Sequence, residues 1–214
     1  MADAELLAEQ VAYYRARAPE YLDGLLDVPG SSELVAVLDV FRPDGHVLEL
    51  ACGPGTWTPR LLRDAASFTA IDAAPEMLAL ARERVGDDDR ARFVLADLFA
   101  WRPEQRYDVI FFGFWLSHVP LERFAEFWAL VDDCLAPHGR VLFVDDAYRT
   151  PDELIEGEAS TTIRRRLSDG KAYQIVKVPH VPAELEARLR SLGWDVRVTT
   201  TTEGPFFWGA GSRA

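Results

Sequence analysis

The sequence predicts an α/β domain built on a mostly parallel sheet with helices on both faces. Three observations lead there. Short runs rich in β-branched and aromatic residues alternate with helix-period segments. A glycine-bearing bend follows the first of these runs directly, as in open α/β sheets at their carboxyl edge. The chain has 214 residues, 49% of them hydrophobic, which suits one large core covered by helices. A single domain over 1–214 is therefore expected.

A helical stretch from about Ala4 to Leu26 opens the chain and is expected to pack over a site. A second begins near Ser31, with Leu34, Val35, Leu38 and Phe41 on one face. Together they form an N-terminal helical cap over about 1–42. Strands follow at His46–Leu50, Phe68–Ile71, Arg92–Leu95, Tyr107–Phe112 and Arg140–Val144, each bounded by turn residues. The segments between them, Pro59–Asp64, Pro75–Val85 and Leu121–Leu135, carry helical periodicity, and Pro137 and Gly139 stop the last. Such βαβα alternation implies a doubly wound sheet. Near the end, an amphipathic helix over Ala183–Leu192 stops at Gly193, and Trp194–Thr200 and Pro205–Trp208 are close enough to pair antiparallel.

Composition narrows the function. The chain carries 23 Lys and Arg against 35 Asp and Glu, a formal charge of -12, which repels phosphate backbones and anionic lipid surfaces. Neither nucleic acid nor membrane is an expected partner. Cys52 and Cys134 have no metal-ligand spacing and form no disulfide framework, so no metal is expected and a reducing compartment fits. The acidic start MADAELLAEQ lacks a basic, then apolar, leader pattern, and the richest apolar run, Val109–Leu116, is too short to span a bilayer. The cytoplasm is the expected location.

The strand ending at Leu50 runs into Ala51-Cys52-Gly53-Pro54-Gly55-Thr56. Glycines there let a ligand touch backbone, and the start of the helix near Trp57 or Thr58 favours an anionic ligand group. Asp72 follows the second strand, at the same edge, and is able to accept both hydroxyl protons of a ribose. One strand later Asp97-Leu98 offers a carboxylate to an exocyclic amine and a backbone N–H to a ring nitrogen, while Met77 is placed to cover the ring.

With these residues the stretches VLELACGPGTWT, AIDAAPEML, VLADLF and YDVIFFGFWLSHVP, in that order and spacing, resemble the class I S-adenosylmethionine-dependent methyltransferases. The likeness covers most of the chain. It implies a Rossmann-like seven-stranded sheet with an antiparallel last strand, S-adenosylmethionine as cofactor and S-adenosylhomocysteine as its product. By the same likeness Glu49 orients the glycine turn, Gly53, Gly55 and Thr56 lie at the methionine moiety, Asp72 holds the ribose, Met77 packs on adenine, Asp97 and Leu98 read its edge, and Phe114 lines the floor. One departure is Ala74, where relatives often carry a capping Ser. A nicotinamide-dependent dehydrogenase is the main rival for Gly-x-Gly plus an acid, but Thr58 stands where its third glycine belongs.

On the acceptor side, His118 lies just past the fourth strand and is the candidate catalytic group, as a base or an anion donor. His46 and His138 adjoin turns at the amino ends of strands, and His180 sits between Pro179 and Pro182, so they have less claim. The segment Thr161–Val178, TTIRRRLSDGKAYQIVKV, reads as two strand halves around Asp169-Gly170 with five basic residues and one acid. It is the core of an acceptor-side insert over about 151–182. A two-residue turn puts Arg164, Arg166, Lys171, Tyr173 and Lys177 on one face, with Ile163, Leu167, Ala172, Val176 and Val178 on the other. Arg165 then falls on the apolar side, and a one-residue shift would set it opposite Tyr173.

This hairpin, together with YYRARAPEYL at 13–22 and the segment IVKV, is similar to small bacterial O-methyltransferases, among them enzymes acting on phosphonates. That narrower likeness implies that Tyr14, Arg17 and Tyr21 close over the cofactor's carboxylate and the acceptor. Arg165, Arg166 and Lys177 would then bind an oxyanion acceptor together with Tyr21. The expected activity is O-methylation of a small molecule, with an anionic phosphonate or carboxylate as the candidate acceptor, by a monomer or homodimer. Methylation of a neutral acceptor, or S-adenosylmethionine binding without catalysis, are the alternatives.

Overall fold

A computed structural model describes residues 3–21 and 28–214. Strands β1 (Gly45–Leu50), β2 (Ala65–Asp72), β3 (Ala91–Leu95), β4 (Tyr107–Gly113) and β5 (Leu135–Asp146) alternate with α1 (Asp3–Arg17), α2 (Ser31–Phe41), α3 (Thr58–Leu62), α4 (Pro75–Val85) and α5 (Phe124–Cys134) as the sequence implies. Then come β6 (Thr162–Arg166), β7 (Ala172–Val176), α6 (Pro182–Ser191), β8 (Trp194–Thr200) and β9 (Phe206–Arg213). The main sheet has the order β3-β2-β1-β4-β5-β9-β8. All its pairings are parallel except those of β9, which runs antiparallel between β5 and β8.

The central strands are apolar on both faces because both are covered. Leu48, Leu50, Ile110, Phe112, Val141 and Phe143 pack with α5 and α6, whereas Val47, Val109, Phe111, Leu142 and Val144 pack with α2, α3 and α4. This is the period of two expected when successive side chains point to opposite layers. The edge strand β3 is only partly buried. No helix among the described residues is long and apolar enough to cross a membrane.

Three sequence expectations shift. The N-terminal helix does not run unbroken from Ala4: α1 stops at Arg17, and a short 3₁₀ turn over Ala18–Glu20 follows, because Pro19 donates no backbone hydrogen bond. The part expected over Leu22–Leu26 lies outside the described residues. The fifth strand begins at Leu135, earlier than Arg140, since Leu135 already pairs with Tyr107 before a register shift. The last strand extends to Arg213 through pairing with both neighbours.

The basic hairpin forms a separate two-stranded sheet, in the shifted register with Arg165 opposite Tyr173. Its connection is a longer loop than Asp169-Gly170 alone. Leu167 N–H bonds the Lys171 carbonyl at 3.0 Å and Gly170 sits at φ 85, while the Asp169 carboxylate accepts Lys171 N–H at 2.8 Å. A left-handed glycine closing a three-residue loop is a standard hairpin solution, and it shifts β7 by one residue against β6, turning the β7 side chains to the other face. Ile163, Leu167, Tyr173 and Ile175 are thus buried against Tyr13 of α1. Arg164 and Arg166 point out to solvent and Arg165 is half-buried, so the expected cationic face does not form.

Gly209 of β9 admits the Phe143 ring: a Cβ there would stand 2.2 Å from Phe143 Cζ. Gly209→Ala is expected to lower stability by about 1–3 kcal/mol through overpacking, read as a lower urea midpoint with an unchanged slope.

Candidate active site

The strand order reverses direction between β1 and β4, and the crevice at their carboxyl ends is where an open α/β sheet takes its ligand. Past Leu50 the backbone turns through Ala51 (φ 51), Gly53 (φ 55) and Gly55 (φ 77), a left-handed run that Cβ-bearing residues disfavour. The two glycines serve different ends. A Cβ at Gly55 would sit 2.9 Å from Ala81 Cα, so that glycine lets α4 approach the bend. At Gly53 an added Cβ would meet no atom within 4 Å, leaving open space beside the bend. Thr56 is partly buried in the same bend. Glu49, buried on β1, accepts the Thr58 hydroxyl at 2.5 Å and so ties the strand to the start of α3. Burial pushes its carboxyl up to about 8.

Asp72 stands at the cleft rim, held by two backbone donors: Gly53 N–H to Oδ2 and Ala74 N–H to Oδ1, each at 2.8 Å. Burial pushes it up to about 6 against these bonds. Ala74 caps nothing with its side chain, and Pro75 begins α4. Asp97 follows β3 and accepts Phe99 N–H at 3.0 Å. The Leu98 N–H is bonded by no described residue, an orphan donor beside that carboxylate. Met77 is buried under the same wall, and Phe114 (φ 57) forms the floor, its N–H on the Val144 carbonyl at 2.8 Å.

Ala51, Asp72, Met77, Asp97, Leu98 and Phe114 line one cleft of about 680 Å³ together with Tyr14, Tyr21 and His118, whereas Glu49, Gly53, Gly55 and Thr56 are not among its lining residues. Its size is that of a small-molecule site. The open bend at Gly53, the rim carboxylate and the orphan N–H beside Asp97 fit an adenosyl ligand with a methionyl tail.

His118 lies on a 3₁₀ turn after β4 and is buried. Its Nδ1 is 2.6 Å from the Val176 carbonyl, which only accepts, so Nδ1 carries the proton. Nε2 then accepts the Tyr14 hydroxyl at 2.9 Å. Burial, helped by the charges of Lys177 and Arg165, holds the imidazole well below its usual range. It is neutral, with both nitrogens engaged, and offers the cleft no anion donor. Burial also keeps the Tyr14 phenol neutral.

The remaining sequence candidates divide. Tyr21 reaches the cleft. Arg17 stacks 5.6 Å from the Tyr21 ring and 5.9 Å from the Tyr13 ring, behind the wall. Arg165 pairs with Glu153 at 3.1 Å, and its charge acts on Tyr14 and Tyr21. Arg166 is exposed and bonds the Gly170 carbonyl at 3.3 Å, away from the cleft. Lys177 is 2% exposed, its ammonium 3.0 Å from Asp146, 3.6 Å from Asp145 and 3.0 Å from the Ser117 hydroxyl. It therefore braces the turn that carries His118. Residues that sequence reading missed include Arg123, which lies 3.6 Å over the Phe99 ring at the cleft wall, and Gln10. Gln10 sits one helical turn before Tyr14, a spacing that could have singled it out.

Comparison with known proteins follows the same lines. Residues 47–139 match a family described as a methyltransferase domain. The chain is 32% identical over 185 residues to a trans-aconitate 2-methyltransferase of Streptomyces avermitilis, covering 81% of this chain and 66% of that one. The chain thus spans just under two thirds of that relative's length. Among solved structures, a DhpI–SAH complex is 39% identical with a TM-score of 0.82, covering 98% of this chain and 97% of that one. A DhpI–SAM–HEP complex is 38% identical with a TM-score of 0.83, covering 98% and 99%.

Two measurements check the site. If the ionised Asp72 carboxylate binds a ribose, S-adenosylhomocysteine affinity should fall as pH drops below about 6, by up to tenfold per unit, since protonation removes the charge and turns one of the two acceptor oxygens into a donor. Calorimetric titration of Asp72→Asn should show weaker binding and no such dependence. Lys177→Ala should cost about 3–5 kcal/mol of stability by leaving buried carboxylates unpaired, seen as a lowered melting temperature.

Proposed function

The chain belongs to the class I S-adenosylmethionine-dependent methyltransferases, and on that premise we propose that it methylates an oxygen of a small anionic acceptor, a carboxylate or a phosphonate. The observation that carries this reading is the state of His118. A neutral hydroxyl or amine needs a base to take its proton, whereas an ionised acid oxygen needs only to be held in line in a dry pocket. His118 is neutral, buried, and committed through both nitrogens. It serves as a support for Tyr14 and not as a proton acceptor. The trans-aconitate named for the Streptomyces relative is itself a carboxylate, which supports the same class.

When bound, S-adenosylmethionine supplies a methyl group made electrophilic by its sulfonium. The chain's residues do the rest. Asp72 takes the ribose hydroxyls, Asp97 and Leu98 N–H take the edge of the adenine, and Met77 and Phe114 cover its apolar surfaces. Tyr14, whose proton points at His118, presents only lone pairs to the cleft, which suits the ammonium of the methionyl part. Arg165 supplies positive charge on the same side, and Tyr21 supplies a phenol donor. The Tyr21 phenol orients the acceptor oxyanion, and the charge of Arg165, which is paired with Glu153 and is not among the cleft's lining residues, favours an anion there. Residues of α1 such as Leu7, Val11 and Tyr14 form one wall of the cleft.

A panel of carboxylic and phosphonic acids, amines and phenols, assayed for methyl incorporation, tests the reading. Methylated acids alone are expected. Arg165→Ala should raise the acceptor KM by about 5- to 30-fold, the loss of a nearby positive charge, with S-adenosylhomocysteine affinity within about twofold. Methylated amines with silent acids would overturn the acceptor class. Tight cofactor binding with no product across the panel would favour a sensor.

A further inference from the structure

Gln10 of α1 is 2% exposed, and both halves of its amide are used. Its Nε2 donates to the His118 carbonyl at 3.2 Å, and its Oε1 accepts Val176 N–H at 3.0 Å. The amide cannot be turned round, because a carbonyl accepts and an N–H donates. The carbonyl of the same Val176 accepts His118 Nδ1–H at 2.6 Å, and His118 Nε2 accepts the Tyr14 hydroxyl at 2.9 Å. Tyr14 lies four residues after Gln10, on the same helical face. The chain of bonds therefore leaves α1 at Gln10, passes through β7 and the turn after β4, and returns to α1 at Tyr14.

We propose that Gln10 is a positioning residue: by fixing Val176 and the His118 backbone, its amide locks His118 in the Nδ1–H tautomer and so turns the lone pairs of Tyr14 toward the cofactor. This rests on the methyltransferase reading of the cleft, but not on which acceptor it takes. The locked form matters because a free imidazole has two tautomers, and the other one would present an Nε2–H to Tyr14. The Tyr14 hydroxyl would then have to turn its proton into the cleft, reversing the hydrogen bond available to a ligand there.

Nitrogen-15 NMR of histidine-labelled protein bound to S-adenosylhomocysteine tests this, with the His118 signal assigned by its loss in His118→Asn. The full chain is expected to show Nδ1–H at His118. Gln10→Met, which keeps the length and removes both bonds, should convert His118 partly or wholly to the Nε2–H form. It should also weaken S-adenosylhomocysteine binding about fivefold or more. In a Tyr14→Phe background the same change should leave affinity unaltered, because the two residues act in series. Gln10→Glu, which keeps an acceptor for Val176 N–H, should retain the Nδ1–H form. An Nε2–H signal in the unsubstituted protein overturns the proposal even if Gln10→Met fails to fold. So does a folded Gln10→Met protein with unchanged tautomer and affinity. Failure of the acceptor panel leaves these readouts untouched, so the two ideas fail separately.

Discussion

Everything at the site depends on adjacent parallel strands ending at one edge. Peptide groups past the last ladder bond need new partners, and here the bonds made beyond the strand ends place the chemistry. Cys52 N–H reaches the Ile71 carbonyl at 2.9 Å and Ala96 N–H reaches the Asp72 carbonyl at 3.0 Å, carrying the pairing one step beyond the strands. The glycine bend, Asp72 and Asp97 are thereby held side by side although they are far apart in the chain. Gly53 N–H then clamps the Asp72 carboxylate, so the bend and the acid orient each other.

Over this edge sits a second unit, α1 with the β6–β7 hairpin. Glu9 accepts Gln174 N–H at 2.8 Å, Glu20 accepts the Ser168 N–H at 3.1 Å together with its hydroxyl, and Arg15 forks onto Glu76 of α4 at the cleft mouth. The last contact is exposed and contributes little alone. The buried contacts count for more. Lys177, Asp145, Asp146 and Ser117 join the hairpin exit, the end of β5 and the His118 turn through direct contacts. Removing one partner of such a cluster leaves charge stranded, so it holds the hairpin in register with the end of β5.

Much of this was legible in the sequence. Apolar runs such as VLEL and VIFF announce strands buried on both faces, and acids directly after such strands mark the ligand edge whatever the tertiary detail. The hairpin register was not legible, because two loops of similar length compete and the choice rests on the Asp169 bond and the left-handed Gly170. That single step turned Tyr173 and Ile175 of β7 to the side of Ile163 and Leu167, with Arg165 opposite Tyr173. Lys177 reads as a cation for an oxyanion acceptor until Asp145 and Asp146 are known to lie against it. Gln10 was hidden for the same reason: its partners, His118 and Val176, are 108 and 166 residues away, and no local pattern encodes a contact at that distance.

The central claim is that one cleft at the carboxyl edge holds the adenosyl donor through Asp72, Asp97 and Leu98. A crystal structure with S-adenosylhomocysteine tests it most directly. The account predicts both ribose hydroxyls on the Asp72 carboxylate, and the adenine amine on Asp97 with a ring nitrogen on Leu98 N–H, beside Met77. Density for the nucleoside outside this cleft, or within it but touching neither carboxylate, would contradict it.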